Sequence, residues 1–505
     1  MAEGRTTKYM EVLGYLYLIV PFFIFSIGWM KKEYWIPIAV ILVVCFWKAW
    51  KDAIPLWMPK LTKKNVLKIT TILSVVCIWV VLSGVGKFVF QNADHFYRNG
   101  IFEALVEYQW PIRNDQIIYP ENFSEGTHAT SLIYYIGFWL PAAVIGKLFG
   151  VGAGYVFQAV WAVLGIVLAY YFICARKEKL LVWPLFLLVF FSGLDIVGHS
   201  LSGSGFSIIA TDGHLEWWAE KYQYSSNTTQ LFWVFNQAVP AWVCTGCMMV
   251  QKNNKSIVWI FASCMLSATF PFVGLLPFTV FWMFGRKFLD LNDTRKGFLK
   301  TEVVKKYLIC WTKDTMTIQN VLGGGIIGIF SFLYLTSNTS GHKIMESSAG
   351  AASGGNQVLG YLVFFILEAG VYLVFLYRYQ KKNVLYYVIF LSLLVIPAIR
   401  VGGGSDFCMR ASIPALFLLM VLVIDGLERA KEEKNRRIFW GLVVMFLIGS
   451  ITPIHEIGRT FHLTTERFLA GEQICESVKD PVELLNLPNF SGKIDESFFF
   501  EVIGK

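Results

Sequence analysis

FQNADHFYRNGIFEALVEYQW, Phe90 to Trp110, is the stretch in which an apolar span ends and the chain turns polar. Asp94 and His95 stand side by side at the point where a membrane helix should emerge into water. Ile101, Ala104, Leu105 and Tyr108 then recur at i, i+3, i+4 and i+7, while Glu103 and Glu107 share another face. That spacing predicts a short amphipathic helix lying on the lipid surface. Polar chemistry is thereby placed at a bilayer edge. An ordinary outer loop with a charge at a helix end fits this segment equally, so the rest of the chain must decide.

Of the 505 residues, 55% are hydrophobic, 16% aromatic and only 16% charged. Soluble domains carry about 25% charged residues, so the chain reads as an all-α, multi-pass integral membrane protein. Most of the nine cysteines, among them Cys45, Cys77, Cys174, Cys244, Cys247 and Cys264, lie inside apolar runs, which argues against a disulfide framework. Cys244 and Cys247 have redox-motif spacing, but on a membrane helix they read as small packing residues. The net charge of +9 gathers in short loops between spans. It is a topology signal rather than a nucleic-acid surface. No small-residue cleavage site follows the first apolar run, which predicts an uncleaved signal anchor.

Apolar segments fall near 9–30, 35–50, 69–90, 131–149, 152–174, 180–198, 228–250, 256–285, 317–336, 357–377, 384–399, 411–427 and 438–454. Placing the basic loops in the cytoplasm leaves residue 91 outside and residue 176 inside, with two apolar segments between them. One of the two must not cross. The segment 131–149 is the better candidate, because Pro141 interrupts it, Lys147 sits in it and Gly150 ends it. The run Ile257 to Phe284 begins and ends beside basic loops, so it should be a hairpin broken at Thr269-Phe-Pro-Phe-Val-Gly-Leu-Leu-Pro277. The expected architecture is a helical bundle of roughly 13 spans with outer juxtamembrane helices. It divides into an N-terminal hairpin and basic loop at 1–68, a membrane core at 69–285 with outer loops 91–151 and 199–227, an amphipathic cytoplasmic connector at 286–316, a second bundle at 317–456, and an outer tail at 457–505.

This topology puts all seven histidines, His95, His128, His199, His214, His342, His455 and His462, at the outer edge, with Asp94, Asp195, Asp212, Glu216, Trp217 and Trp218. Longer outer loops alone would produce some of that asymmetry. Asp195 ends a span, and an acid there is costly unless it reaches the interface or a cavity. Glu368 is deeper and suits a structural hydrogen-bonder or a proton relay. Arg400-Val-Gly-Gly-Gly-Ser-Asp-Phe-Cys-Met-Arg410 joins two guanidinium groups and Asp406 to a triple glycine. Arginine forks match phosphate oxygens, and glycine lets backbone N–H groups approach an anion. A flexible turn bearing headgroup-binding arginines reads the same way. Asp94, Asp195 and His199 are metal-capable, but no spacing here is diagnostic of a ligand set.

The order of these features resembles the GT-C superfamily of integral-membrane glycosyltransferases. Its members have an acid at the outer end of an early span, a first outer loop with juxtamembrane helices, and a second acid in the next outer loop. Asp94, the helices expected at 101–108 and 131–149, and Asp195 occupy those places. The likeness covers roughly residues 69 to 285 and rests downstream on span count and Arg410. His95 stands where many members have a second acid, and two extra spans precede the family's first helix.

The resemblance implies a polyprenyl-phosphate sugar as donor and an extracytoplasmic glycan, lipid or protein as acceptor. It implies a plasma membrane of bacterial type, with the active site on the outer face. Asp94 and Asp195 would be catalytic. His95, Tyr97, Arg98, Asp212, His214, Glu216, Trp217, Arg400, Asp406 and Arg410 would bind substrate. A divalent metal would sit among Asp94, Asp195 and His199. Two other classes fit the composition: a transporter or flippase for a lipid-linked or anionic solute, and a non-catalytic scaffold of an envelope-assembly complex.

Overall fold

The computed structural model describes residues 4–114, 129–203, 214–285, 301–338, 355–401 and 404–505. The chain opens with two helices, α1 (Tyr9–Trp29) and α2 (Lys32–Asp52), whose far ends are clasped by strand β1 (Gly4–Thr7) paired antiparallel with β2 (Leu56–Pro59). Helices α3 (Lys63–Leu82), α4 (Asp94–Glu107), α5 (Leu140–Phe149) and α6 (Val151–Lys177) follow, with strand β3 (Thr130–Leu132) ahead of α5. Two seven-residue helices, α7 (Pro184–Phe190) and α8 (Asp195–Leu201), lead to α9 (Asn227–Val250), which is buried along almost its whole length against α6 and a later helix. Ser226 starts α9 by accepting the Thr229 N–H at 2.9 Å, satisfying one of the donors that a helix start leaves open.

Helices α10 (Ile257–Ser263) and α11 (Thr269–Val280) form the hairpin expected from the sequence, but its break falls at 264–268, because Thr269–Pro277, expected as the break, belongs to α11. The Asn254 amide donates to the Met283 carbonyl at 2.8 Å, bringing its two feet together, while Gly137 N–H reaches Leu266 at its tip. Beyond it run α12 (Thr301–Thr315), α13 (Gly325–Thr336), α14 (Gly355–Phe365), α15 (Val371–Gln380), α16 (Val384–Val395), α17 (Asp406–Ala411) and α18 (Ile413–Glu432). The chain finishes with α19 (Arg436–Gly449), α20 (Ile451–Ala470), α21 (Pro481–Asn486) and strand β4 (Ser491–Lys493). At the basic end, Arg176 of α6 clasps Asp425 of α18 with Nη2 at 2.6 Å from the carboxylate. Lys255 holds Asp52 there at 3.0 Å.

The chain is mostly helical, and among the described residues eight helices are long and apolar enough to cross a membrane. The expected count of roughly 13 is not reached on that measure. The reason lies in particular residues. Expected spans 228–250 and 411–427 are the long helices α9 and α18, but Asn236 and Gln237 make the first less apolar, and Asp425, Glu428 and Arg429 charge the second. Segments 256–285 and 384–399 form only shorter apolar helices.

The segment 131–149 does not form a helix long enough for an upright span. Its start is strand β3, paired with β4 of the tail, and near its end Lys147 donates to the Val106 carbonyl in the last turn of α4 at 3.2 Å. The helical part, Gly137–Phe149, is roughly 20 Å long, against about 30 Å of hydrocarbon. Two other expectations need correction. Helix α4 does not lie on lipid: Ile101, Phe102 and Leu105 are fully buried, and the tail covers the other side, with Val478 against Gly100. The boundary expected between 456 and 457 falls inside α20.

Candidate functional site

The α4 register sets the first cluster. Asp94 and Arg98 lie one turn apart, and Nη2 of Arg98 is 2.7 Å from Oδ2 of Asp94. The Asp94 side chain remains 43% exposed, whereas that of Arg98 is 5% exposed and its Nη1 has no hydrogen-bond partner. Arg410, in the one-and-a-half turns of α17, faces the same place. Its Nη1 donates to the Tyr135 hydroxyl at 3.3 Å, Nη2 lies 3.3 Å from Asp406, and Nε is buried without a partner. The Tyr134 and Tyr135 hydroxyls hydrogen-bond each other.

These groups share one electrostatic neighbourhood. Burial alone would lower the pKa of Arg410, but Tyr135, Asp406, Tyr134 and Asp94 outweigh it and raise the value. The Tyr134 phenol is pushed well up by burial, with Arg98 and Arg410 pulling the other way. Two guanidinium groups with orphaned N–H donors therefore act electrostatically on Tyr134. Unpaired buried donors cost about 1–3 kcal/mol each, more when charged, so such a place favours an anion that completes them.

A second cluster is acidic and involves residues from four elements. Asp195 accepts from Ser192 at 2.7 Å and Thr452 at 3.0 Å. A π-helical turn at Ile366–Gly370 carries Glu368, which accepts from Trp218 Nε1 at 3.0 Å. Glu368 packs so close to Gly193 that a Cβ there would meet its Oε2 at 1.8 Å. Glu216 accepts from Gln223 at 2.9 Å and from the Ser226 N–H at 2.9 Å. Ser405 in turn donates to Gln223 at 3.0 Å, linking this cluster to the loop that carries Asp406 and Arg410.

A third cluster was not foreseen. Glu456 of α20 accepts from Trp233 at 3.0 Å, lies 3.3 Å from Arg459 and 3.5 Å from His214 Nε2, and is fully buried. Arg459 also donates to the side chain of Asn92, just ahead of α4. The signal in the sequence is an acid and a base three apart directly after an apolar run, at the place where the chain pattern predicts the bundle to end.

The expected site residues therefore separate. Asp94 pairs with Arg98 and Asp406 with Arg410, and the charge of Asp94 reaches Arg410. Asp195 lies with Glu216 and Glu368 instead. His95 is a packing residue, its Nε2 2.8 Å from the Phe232 carbonyl and its pKa lowered to about 4 by burial and by Arg98. His214 is likewise buried, its pKa lowered to about 4 by burial, and Trp217 stacks on it at 5.3 Å while staying 55% exposed. Tyr97 is half-exposed beside Arg98, and Arg400 is exposed at the other end of the glycine loop. Asp212 lies outside the described residues.

Among the described residues no three His, Cys, Asp or Glu side chains converge to hold a metal. The set Asp94, Asp195 and His199 is not assembled, because Arg98 engages Asp94 while Ser192 and Thr452 engage Asp195. All nine cysteines are free thiols, and Cys244 donates to the Ile260 carbonyl as a packing group. No family model, curated protein or solved structure matches the chain. Its chemistry has to be read from its own side chains.

Glu216 supplies a pH test. Burial first, and the nearby Asp195 second, raise its pKa from 4.5 to about 8. The folded protein thus holds a proton that the unfolded chain releases. Stability from this group is fully present below pH 4.5 and is lost as pH rises through about 8. The Tm of the nanodisc-embedded protein should fall between pH 5 and 8 more steeply than that of Glu216→Gln, which keeps the neutral shape. Equal slopes would remove the neutral-carboxyl assignment.

Proposed function

We propose that the protein is a membrane glycosyltransferase that moves a sugar from a polyprenyl-phosphate donor to an acceptor outside the cytoplasm, a glycan, lipid or protein. The observation that carries this reading is the pair of buried guanidinium groups, each with an unpartnered N–H: Arg98, held to a half-exposed Asp94, and Arg410, bonded to Tyr135. Asp94 takes the proton of the acceptor hydroxyl as its oxygen attacks the anomeric carbon. The bond from that carbon to the phosphate oxygen breaks, and the charge left on the phosphate falls to Arg410 and Arg98. One displacement inverts the anomeric centre. Asp195 receives no part in this step, and phosphate is a good enough leaving group that no general acid is needed. The apolar helices around the cluster suit a donor entering sideways from the outer leaflet of a plasma membrane.

The test is bond cleavage. Protein in proteoliposomes, given polyprenyl phosphates labelled in the sugar, should release unglycosylated polyprenyl phosphate only when acceptor is present. Labelled lipid that crosses the bilayer intact, with no cleavage, would instead establish the transporter. One observation favours that second reading: Asp195, Glu216 and Glu368 are buried together, with Glu368 near the middle of the helix Val358–Gln380.

A further inference from the structure

The tail, expected as an outer appendage, brings a ring to the cluster around Arg410. Strand β4 pairs with β3 so that Leu132 faces Ser491, and Phe490 immediately precedes that strand. The Phe490 carbonyl accepts from the Ile133 N–H at 2.8 Å, so backbone pairing sets the ring's position. The ring stands edge-on to Tyr134 at 5.0 Å and 5.7 Å from Tyr97. Tyr134 is joined through Tyr135 to Arg410, and Tyr97 directly precedes Arg98 on α4. Tyr97 remains 40% exposed, and Phe490 is half-buried.

Three part-covered rings at the edge of two unsatisfied guanidinium groups suit a ligand with an apolar face next to an anion. A sugar ring esterified to phosphate has both, because its axial C–H bonds form an apolar face that stacks on aromatic carbon. We infer that Phe490, with Tyr97 and Tyr134, is the platform that receives the donor's sugar ring while Arg98 and Arg410 hold its phosphate. This rests on the transferase reading and extends it: the C-terminal tail completes the donor site and selects the sugar. Phe490 binds and positions, and takes no part in proton or bond transfer.

The experiment measures affinity, which is separate from turnover. Full-length protein in nanodiscs is titrated with a short-chain prenyl phosphate and with its glucosyl, mannosyl and arabinosyl esters. The gain of the tightest ester over the bare lipid reports ring recognition. Phe490→Ala and Phe490→Leu should lose that gain, roughly 3- to 10-fold, while bare prenyl phosphate shifts by less than about twofold and Phe490→Trp retains the gain. Equal weakening of all probes means the tail is only structural and overturns the proposal. So does an unchanged gain in Phe490→Ala, or a wild-type protein that binds no ester more tightly than the bare lipid. Arg410→Lys tests the underlying reading separately. If it leaves bare prenyl phosphate affinity untouched, the phosphate site fails whatever Phe490 does.

Discussion

Exchange of Asp94 for asparagine is expected to cut transfer from a polyprenyl-phosphate donor by about 100-fold or more, the range for loss of a general base. The fold should hold, because the asparagine oxygen can still accept from Arg98 and the side chain is 43% exposed. An exposed pair of this kind contributes little net stability. Initial rates of labelled-sugar transfer, read beside the Tm of the same preparation, separate lost chemistry from lost structure. Glu368→Gln is the paired control. It lies in the acidic cluster with Asp195, so under the transferase reading it should cost far less activity. A robust Asp94→Asn enzyme beside a dead Glu368→Gln variant would promote the transporter.

The second large effect concerns stability. Arg459→Leu should destabilise the protein by about 3–5 kcal/mol, the cost of leaving one member of a buried ion pair without its partner. The partner is Glu456, fully buried at 3.3 Å, and Arg459 also ties α20 to Asn92 ahead of α4. Adding Glu456→Gln removes the stranded charge. The double variant should therefore recover most of the loss, whereas the Asn92 contact stays missing. Denaturant unfolding in mixed micelles, run as a double-mutant cycle, reads both numbers. Additive losses would mean that the two side chains do not act as a pair.

Much of the architecture was legible in local sequence because a bilayer constrains local features. Few charges over long runs mark membrane helices, basic loops mark one side, and parity between them required a segment that does not cross. The hairpin at 257–284 follows from the same counting. What the amphipathic pattern of α4 could not tell was which partner its apolar face would meet. Ile101 and Leu105 fit lipid or protein equally well by spacing, and only the tertiary fold shows the core on one side and Val478 on the other.

The site divides in the same way. By itself the chain marked which acids and arginines stand at span ends and in loops, since charges avoid hydrocarbon. Which of those charges meet is decided by packing between residues hundreds of positions apart. Asp195 and Asp94 look alike in sequence, each an acid at a span end. In the fold, Asp195 lies with Thr452 and Glu368, and Asp94 with Arg98 in range of Arg410. The tail shows the limit most plainly. Three-residue strands carry no readable pattern, so the pairing of Ser131 with Gly492, and the ring of Phe490 that it delivers to Tyr134, exist only once distant segments have been brought together.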